Sequence, residues 1–253
     1  LDYAVLNSVE SYPFAKAFVR RSVPNATYIH EFADNMPVGK CFWSALFSDL
    51  IVFSSETVRD SWLNIFTDMR FDVARDTAVI AQRELRPGVP SRSEFKKARN
   101  HLSRLLGVDC SSRRIVYGAG NVEWRKGVDL FVLTAQMARI LDPEAIFVWI
   151  GDRRNHEDIH FGVWLEKHLK EADADNPSGN LFLLPAGDYY SDLGRAADVL
   201  FLPSRLDPLP NVVFDAISFG SHVVLFQNAT GFDDDCYTPF EKIVRVGYGD
   251  LVS

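Results

Sequence analysis

The sequence "VLFLPSRLDPLPNVVFDAISFGSHVVLF" runs from Val199 to Phe226 and indicates the class of fold. It begins and ends with short apolar runs, and a segment with a helical pattern lies between them. Apolar runs of this kind, joined through a helix, predict parallel strands that are buried on both faces of a sheet. Two carboxylates, Asp207 in the loop and Asp215 in the helix, raise the question of a binding site.

Asp215 lies beside an apolar stripe. On a helical wheel, the segment that begins at Asn211 places one face of apolar or small residues together: Val212, Val213, Ala216, Ile217 and Gly220. At the edge of that stripe, in the first turns, the helix dipole favours the charge of Asp215 by roughly 0.3–1 kcal/mol. This position explains why the acid is tolerated, and a role as a mere cap stays open.

Asp207 lies in a stiff loop, because Pro208 and Pro210 fix the backbone around it. Rigid backbone amides that lead into a helix N-terminus favour an anion. A carboxylate held beside such amides would bind hydroxyl groups rather than phosphate. The two acids together therefore predict a ligand that carries both phosphate and hydroxyl groups.

The same alternation of apolar runs and helical patterns extends along the chain. Strands are predicted at 27–30, 50–54, 77–81, 114–118, 145–151, 181–185, 199–203, 222–226 and 242–246. Strands that alternate with helices predict an α/β fold with a doubly wound parallel sheet. Six strands follow Arg114, enough for a complete domain, whereas the three strands before it predict only part of a second Rossmann-like domain.

The boundary between these halves is predicted at "RELRPGVPSRS" (83–93), where two prolines and a glycine interrupt the pattern. This linker would separate a partial amino-terminal domain, residues 1–82, from a second domain, residues 94–253. The helix predicted at 93–107 has an apolar face that includes Leu102 and a basic remainder that includes Arg99. Packing against the protein with a solvated basic face is favoured, and a contact with a membrane surface is the alternative.

The composition excludes several classes. The 253-residue chain has a formal net charge of -7, which argues against nucleic acid as a partner. Its three cysteines, Cys41, Cys110 and Cys236, have no metal-binding spacing and indicate a reducing compartment. No apolar run approaches the ~20 residues of a membrane span, and no signal-peptide pattern is present. We therefore expect a cytoplasmic protein.

The loop after the strand at 114–118 also has the features of an anion site. In "GAGNVEWRKGVDLF" (118–131), Gly118 and Gly120 allow a close backbone approach, but the third glycine of the dinucleotide fingerprint is absent. Arg125 and Lys126 directly precede a helix. Two cations beside backbone amides form a good receptor for a diphosphate. The missing third glycine disfavours an NAD-dependent oxidoreductase.

These motifs resemble a known family. "GNVEWRKGVDLF", "FVWIGD" and "ADVLFLPSRLDPLPNVVFDAISFG" are similar to the carboxyl-terminal domain of GT-B fold glycosyltransferases, especially glycosyltransferase family 4, over residues 110–250. That family has two acids separated by seven residues, which match Asp207 and Asp215. "PNATYIHEF" (24–32) and "FSDLIVFSSETVRDSW" (47–62) resemble its amino-terminal domain less specifically.

The resemblance implies roles for individual residues. Lys126 would bind the donor diphosphate; Asn121 stands where many members have arginine, so Arg125 would supply that charge. Asp215 would bind the ribose, and Asp207 would lie near the donor sugar and its phosphate. The catalytic set is thus His30, Asp207 and Lys126, with His30 facing the donor sugar. The donor-binding set adds Gly120, Asn121, Arg125 and Asp215. It also includes Leu184, Pro185 and Ala186 beside the base, and the loop Leu209, Pro210 and Asn211, which would present backbone amides to the sugar and diphosphate. Family members usually have glutamate at both acid positions, so each aspartate reaches one methylene less far.

The implied activity is transfer of a sugar, with retention of configuration, from a nucleotide-diphosphate donor to a hydroxyl of a glycan or lipid-linked acceptor. Such an enzyme would act in polysaccharide or glycoconjugate synthesis, without a metal or other cofactor, and with a peripheral contact at the inner membrane face as an option. A nucleotide-sugar-binding module without turnover and a GT-B fold sugar epimerase are the alternatives. The acids at 233–235 could suggest a metal site, but a solvated acidic loop is favoured.

Overall fold

The computed structural model describes residues 2–70, 77–81, 88–151, 158–234 and 241–251. In these ranges, ten strands form two sheets in which every pairing is parallel. The strands are β1 (Ala4–Asn7), β2 (Asn25–Ile29), β3 (Leu50–Phe53), β4 (Thr77–Val79), β5 (Ile115–Ala119), β6 (Ile146–Ile150), β7 (Leu181–Leu184), β8 (Val199–Leu202), β9 (His222–Phe226) and β10 (Ile243–Val246). The helices are α1 (Tyr12–Val19), α2 (Val38–Phe47), α3 (Glu56–Asp68), α4 (Arg92–Leu106), α5 (Val128–Leu141), α6 (Ile159–Glu171), α7 (Tyr190–Ala196) and α8 (Asn211–Phe219).

The chain divides into two compact units. The first contains Leu1–Arg83 together with Asp207–Leu209 and Thr230–Pro239, and the second contains Glu84–Leu206, Pro210–Ala229 and Phe240–Ser253. The first unit holds the sheet of order β1-β2-β3-β4, and the second holds the sheet of order β10-β9-β8-β5-β6-β7. Part of the predicted linker, residues 83–87, lies outside the described residues.

All nine predicted strands are present, and the prediction of three strands in the first half was one short. The additional strand, β1, has four residues that alternate between half-buried and exposed, and Val5 is 68% exposed. It lies at the edge of its sheet beside β2. Its apolar part, Ala4–Leu6, is only three residues long, so it does not stand out as a strand in the sequence.

The second sheet has the strand order of a doubly wound Rossmann fold. Counted from β5, its order is 3-2-1-4-5-6, so the direction of winding reverses between β5 and β8. On one face, α5 and α6 pack with side chains of the sheet around a buried core that includes Phe131, Phe147, Trp149 and Phe201. Ligands of such sheets bind outside the carboxyl ends of the strands at the reversal point.

Helix α4 is a packed helix, as favoured from its sequence. A capping box fixes its start, because Ser91 Oγ accepts from the Glu94 amide and Glu94 accepts from the Ser91 amide. The last two residues of the predicted linker, Arg92 and Ser93, lie in this helix. The expectation that Arg99 belongs to the basic solvated face was wrong: Arg99 is 5% exposed and donates to Asp198 at 2.8 Å.

The acidic loop at 233–235 is not fully solvated. Asp234 is buried, and its carboxylate accepts hydrogen bonds from the amides of Glu56 and Thr57 at 2.6 and 3.1 Å. It also accepts from the Thr57 hydroxyl at 2.6 Å. These contacts satisfy orphan amides at the N-terminus of α3, where the helix dipole favours a negative charge. The prediction of a solvated loop is therefore wrong for Asp234, and Asp235 lies outside the described residues.

Candidate functional site

The carboxyl ends of β5 and β8 meet at the reversal point of the second sheet, because Val116 and Tyr117 pair with Val199 and Leu200. Beyond these strands, the two exit loops bind each other. The Arg205 amide donates to the Arg125 carbonyl at 2.8 Å, and Arg125 Nη1 donates to the Leu206 carbonyl at 3.1 Å. The loop that carries the predicted diphosphate-binding cations is thus joined to the loop that leads into α8.

Glycines permit this close approach. Gly127 has a φ of 69°, and a Cβ atom at this position would lie 1.9 Å from the Pro203 carbonyl oxygen. Gly120 has a φ of 144°, and a Cβ there would lie 3.3 Å from Cδ of Lys126. The stem of Lys126 therefore lies against the backbone of Gly120. Only glycine fits at either position without strain or displacement.

An ion pair that the sequence did not predict stabilises the junction. Arg205 donates to both carboxylate oxygens of Asp129, in the first turn of α5, at 2.9 and 2.7 Å. Its guanidinium also lies 4.5 Å from the centroid of the Trp124 ring and donates to the Trp124 carbonyl at 2.5 Å. Charge and spacing alone could not reveal this pair, since 76 residues separate its members.

We expect Arg205→Ala to destabilise the second unit by about 2 kcal/mol, because it leaves the half-buried Asp129 carboxylate without its bidentate partner. For a protein of this size the melting temperature should fall by roughly 5 °C. Arg114→Ala is the matched control, since Arg114 pairs with Asp142 on the surface with 63% of its side chain exposed. A drop of equal size in both variants would contradict a special role for Arg205.

The two predicted cations have different surroundings. Arg125 is engaged with the protein: besides the Leu206 carbonyl, its Nη2 lies 3.7 Å from a Glu123 oxygen. Asn121 donates to the same carboxylate at 3.2 Å. Lys126 ends a 3-10 turn immediately before Gly127 and α5. Arg125 therefore holds the loops together, and Lys126, directly before the N-terminus of α5, is placed where a ligand phosphate would meet a helix terminus.

Helix α8 begins at Asn211 after Pro210, and the side chain of Pro210, its N-cap residue, makes no hydrogen bond to the helix. The N-terminus of such a helix favours an anion. The predicted stripe was partly wrong. Val213 and Ala216 are buried, but Val212, Ile217 and Gly220 are only half-buried, and Phe214 is buried instead.

Asp215 is half-buried and has a partner that the sequence analysis did not identify. The hydroxyl of Tyr190, the first residue of α7, donates to Asp215 Oδ2 at 2.8 Å. The buried Tyr117 of β5 lies near both residues, and its pKa is raised by burial and by the charge of Asp215. The bond from Tyr190 to Asp215 joins two residues 25 positions apart, so only the three-dimensional structure reveals it.

The hydroxyl of Tyr117 is buried, and no atom of the described residues accepts from it or donates to it. Tyr117→Phe should therefore raise the free energy of unfolding by about 1 kcal/mol, because it removes an unsatisfied polar group. Tyr28→Phe removes a hydroxyl that donates to the Ile80 carbonyl at 2.8 Å and should lower stability slightly. Thermal melts of the two variants compare them directly; destabilisation by Tyr117→Phe would show that its hydroxyl is satisfied in solution.

The second acid, Asp207, is 5% exposed, and with Leu209 it groups with the first compact unit. In that unit, the neighbouring Pro208 carbonyl accepts from the Gly231 amide at 2.5 Å. Pro210, Asn211 and Asp215 group with the second unit. The loop between the two acids therefore crosses from one unit to the other.

The exit of β7 contains the residues predicted to border the base. The Leu184 carbonyl accepts from the Gly151 amide at 2.9 Å, which fixes the strand end. Beyond it, the Tyr189 hydroxyl donates to the Pro185 carbonyl, and Pro185 and Ala186 are exposed. Since α7 begins at Tyr190, this loop leads directly to the tyrosine that contacts Asp215.

His30 lies in the first unit, just after β2. Its Nε2 is 2.6 Å from Asn7 Oδ1, and its ring packs edge-on against Tyr28 with centroids 4.2 Å apart. Burial lowers the pKa of His30, and the charge of Glu31 opposes that change. A neutral ring that donates to Asn7 is thus favoured at neutral pH.

In the described part of the chain, every helix is too short or too polar to span a membrane. Within the same residue ranges, no group of three or more His, Cys, Asp and Glu side chains could hold a metal ion. Cys41 and Cys110 are buried free thiols, and burial raises the pKa of Cys41 to about 11. Cys236 lies outside the described residues.

Comparison with known proteins identifies relatives of this fold. No family model matches the chain. A stretch of 115 residues is 30% identical to the alpha-galactosylglucosyldiacylglycerol synthase of Streptococcus pneumoniae. The stretch covers 44% of this chain and 28% of that protein. The chain thus spans less than a third of the length of this curated relative.

Three solved structures are similar over nearly the whole chain. Anabaena Alr3699/HepE in complex with UDP has a TM-score of 0.77 at 14% identity, covering 98% of this chain and 66% of that one. The structure described as trehalose-6-phosphate from E. coli bound with UDP-2-fluoro glucose has a TM-score of 0.73 at 15% identity. The match covers 99% of this chain and 63% of that one. A trehalose-6-phosphate synthase, studied for glycosyltransfer with retention, has a TM-score of 0.72 at 15% identity, with 99% and 64% covered.

The predicted GT-B type of fold is confirmed: two parallel α/β sheets match these structures. The resemblance to GT-B glycosyltransferases noted in the sequence is likewise confirmed. Membership of glycosyltransferase family 4 stays a prediction. The chain spans less than two thirds of the length of each of these proteins.

Proposed function

We propose that this chain transfers a hexosyl group from a nucleotide-diphosphate sugar to an acceptor hydroxyl. The observation that carries the proposal is the junction of the β5 and β8 exit loops at the reversal point of the second sheet. It brings Lys126 and Gly120 next to the loop that opens into α8. A cation, close backbone and a helix N-terminus together suit a diphosphate.

The roles of the individual groups follow from charge. When the bond between the sugar and the diphosphate breaks, negative charge grows on the leaving phosphate. Lys126 and the first amides of α8 would stabilise that charge, and such fixed donors act most strongly on the transition state. Arg125 would act indirectly, because it holds the loop of Leu206 in place.

The remaining residues recognise the rest of the donor. Asp215 would accept hydrogen bonds from ribose hydroxyls, with Leu184, Pro185 and Ala186 beside the base. The loop Leu209–Asn211 would lie beside the diphosphate and sugar, with Leu209 and Asn211 as its backbone N–H donors, because Pro210 has no N–H. For His30 and Asp207 we propose contacts with the donor sugar. We assign no metal to the reaction, since the positive charges of Lys126 and the helix terminus supply the neutralisation.

The stereochemistry and the acceptor are part of the proposal. Retention of configuration is supported by the similarity to a synthase studied for glycosyltransfer with retention. The name of the pneumococcal relative is that of a glycolipid synthase, which supports a glycan or lipid-linked acceptor. A role in polysaccharide or glycoconjugate synthesis, at the cytoplasmic side of a membrane, would follow from such an acceptor.

The test combines binding with turnover. Calorimetry with UDP, GDP and ADP should reveal one nucleoside diphosphate that binds, and the matching nucleotide sugar should be hydrolysed slowly without an acceptor. Binding without hydrolysis or transfer would favour a module without turnover. An isomerised nucleotide sugar would indicate an epimerase, and absence of nucleotide binding would contradict the proposal.

A further inference from the structure

We infer that Tyr190 is a positioning residue that orients Asp215 for the ribose of the nucleotide. The inference rests on the proposed function, because it concerns the same donor site. Tyr190 contacts Asp215 directly, because its hydroxyl donates a hydrogen bond to Asp215 Oδ2 at 2.8 Å. A carboxylate has two oxygens, and this bond occupies one of them on a fixed side, so that the other oxygen is oriented.

The elements around the pair make this orientation rigid. Tyr190 is the first residue of α7, and Asp215 lies in the middle of α8, which packs against α7. Helix α7 also contacts β5, the strand that carries Tyr117, and α4 packs along it. A side chain that is anchored between packed elements loses little further freedom when a ligand binds.

Tyr190 is suited to act as a donor. Burial raises its pKa, and the nearby Tyr117 and the carboxylate of Asp215 raise it further. The hydroxyl thus keeps its proton at neutral pH and donates to the carboxylate. A hydrogen bond to a charged acceptor is about twice as strong as one between neutral groups, so it can decide the rotamer of Asp215.

The hydrogen bond from Tyr190 would compensate for the short side chain of Asp215. An aspartate has one methylene less than a glutamate, so its reach from α8 is fixed more by the helix than by its own rotamers. A tyrosine that holds one oxygen would direct the other oxygen to the ribose hydroxyls. Discrimination between ribose and deoxyribose is therefore set by Tyr190 together with Asp215.

The experiment measures sugar discrimination rather than affinity alone. Calorimetry first identifies which of UDP, GDP and ADP binds most tightly, and then compares it with its 2′-deoxy form. The wild-type protein should prefer the ribose form by about tenfold, as expected for a hydroxyl bonded to a carboxylate. Tyr190→Phe should reduce this preference to about twofold. A general loosening of the site would weaken both ligands alike and leave the ratio unchanged.

Two further variants complete the test. Tyr117→Phe removes a neighbouring hydroxyl that has no hydrogen bond to Asp215, and it should keep the tenfold preference. Asp215→Asn should lose the preference, and adding Tyr190→Phe to it should change nothing more. Two results would overturn this inference while the proposed function stands, provided that a nucleotide binds. In the first, Tyr190→Phe keeps the full preference for ribose. In the second, Tyr190→Phe changes that preference by the same factor in the Asp215→Asn background as in the wild-type protein. If none of the three nucleotides binds, both fail.

Discussion

Replacing Lys126 with alanine should lower the rate of sugar transfer, or of donor hydrolysis, by about 100-fold or more. The reason is that a fixed donor aimed at developing charge contributes on the order of 10²–10³ to turnover. Lys126 stands at the end of a 3-10 turn, with its stem against Gly120. Because its charge would act mainly on the leaving phosphate, kcat should fall more than KM rises.

The matched control is Lys97→Ala on α4. Lys97 is exposed, and α4 lies outside the β5–β8 junction. The control should retain the wild-type rate, and both variants should keep the wild-type melting temperature. Unchanged turnover in Lys126→Ala would remove the central residue of the proposed mechanism.

Gly127→Ala should destabilise the second unit by roughly 3 kcal/mol. The left-handed backbone at φ 69° costs an alanine about 1 kcal/mol, and forcing a methyl into packed atoms adds about 1–3 kcal/mol. The methyl would collide with the Pro203 carbonyl, which cannot move without displacing the exit of β8. We expect the melting temperature to fall by about 8 °C and nucleotide binding to weaken as well.

Gly107→Ala isolates the two contributions. Gly107 ends α4 with a φ of 71°, and a Cβ there would meet no atom within 4 Å. It should therefore show only the backbone cost of about 1 kcal/mol, seen as a drop of roughly 3 °C. If both glycine variants melt at the same temperature, the close approach of the two loops is not a constraint on stability.

Most of the fold could be predicted because its strands are buried. Central parallel strands such as β6 and β8 are continuous apolar runs, and their period and length are visible in any single sequence. Strand β1 was missed because only one of its faces is half-buried. The burial of Arg99 and Asp234 was missed for a different reason: each charge is satisfied by partners far away in sequence, such as Asp198 and Thr57.

The candidate site was predicted at the level of loops. Glycines, cations and acids at strand exits identify the carboxyl edge of a doubly wound sheet, and Lys126, Asn211 and Asp215 lie there. The contacts between side chains could not be predicted. Pattern and charge do not reveal that Arg205 binds Asp129, because that pairing depends on the register of two exit loops. They also leave open which group contacts Asp215.

We propose that the carboxyl edge at β5 and β8 binds a nucleoside diphosphate. Hydrogen–deuterium exchange with and without UDP, GDP or ADP reports the location of binding and needs no acceptor. Exchange should slow in the loop 118–127 and at the start of α8, and it should be unchanged in α4. Protection confined to other parts of the chain, or none at saturating UDP, GDP and ADP, would contradict it.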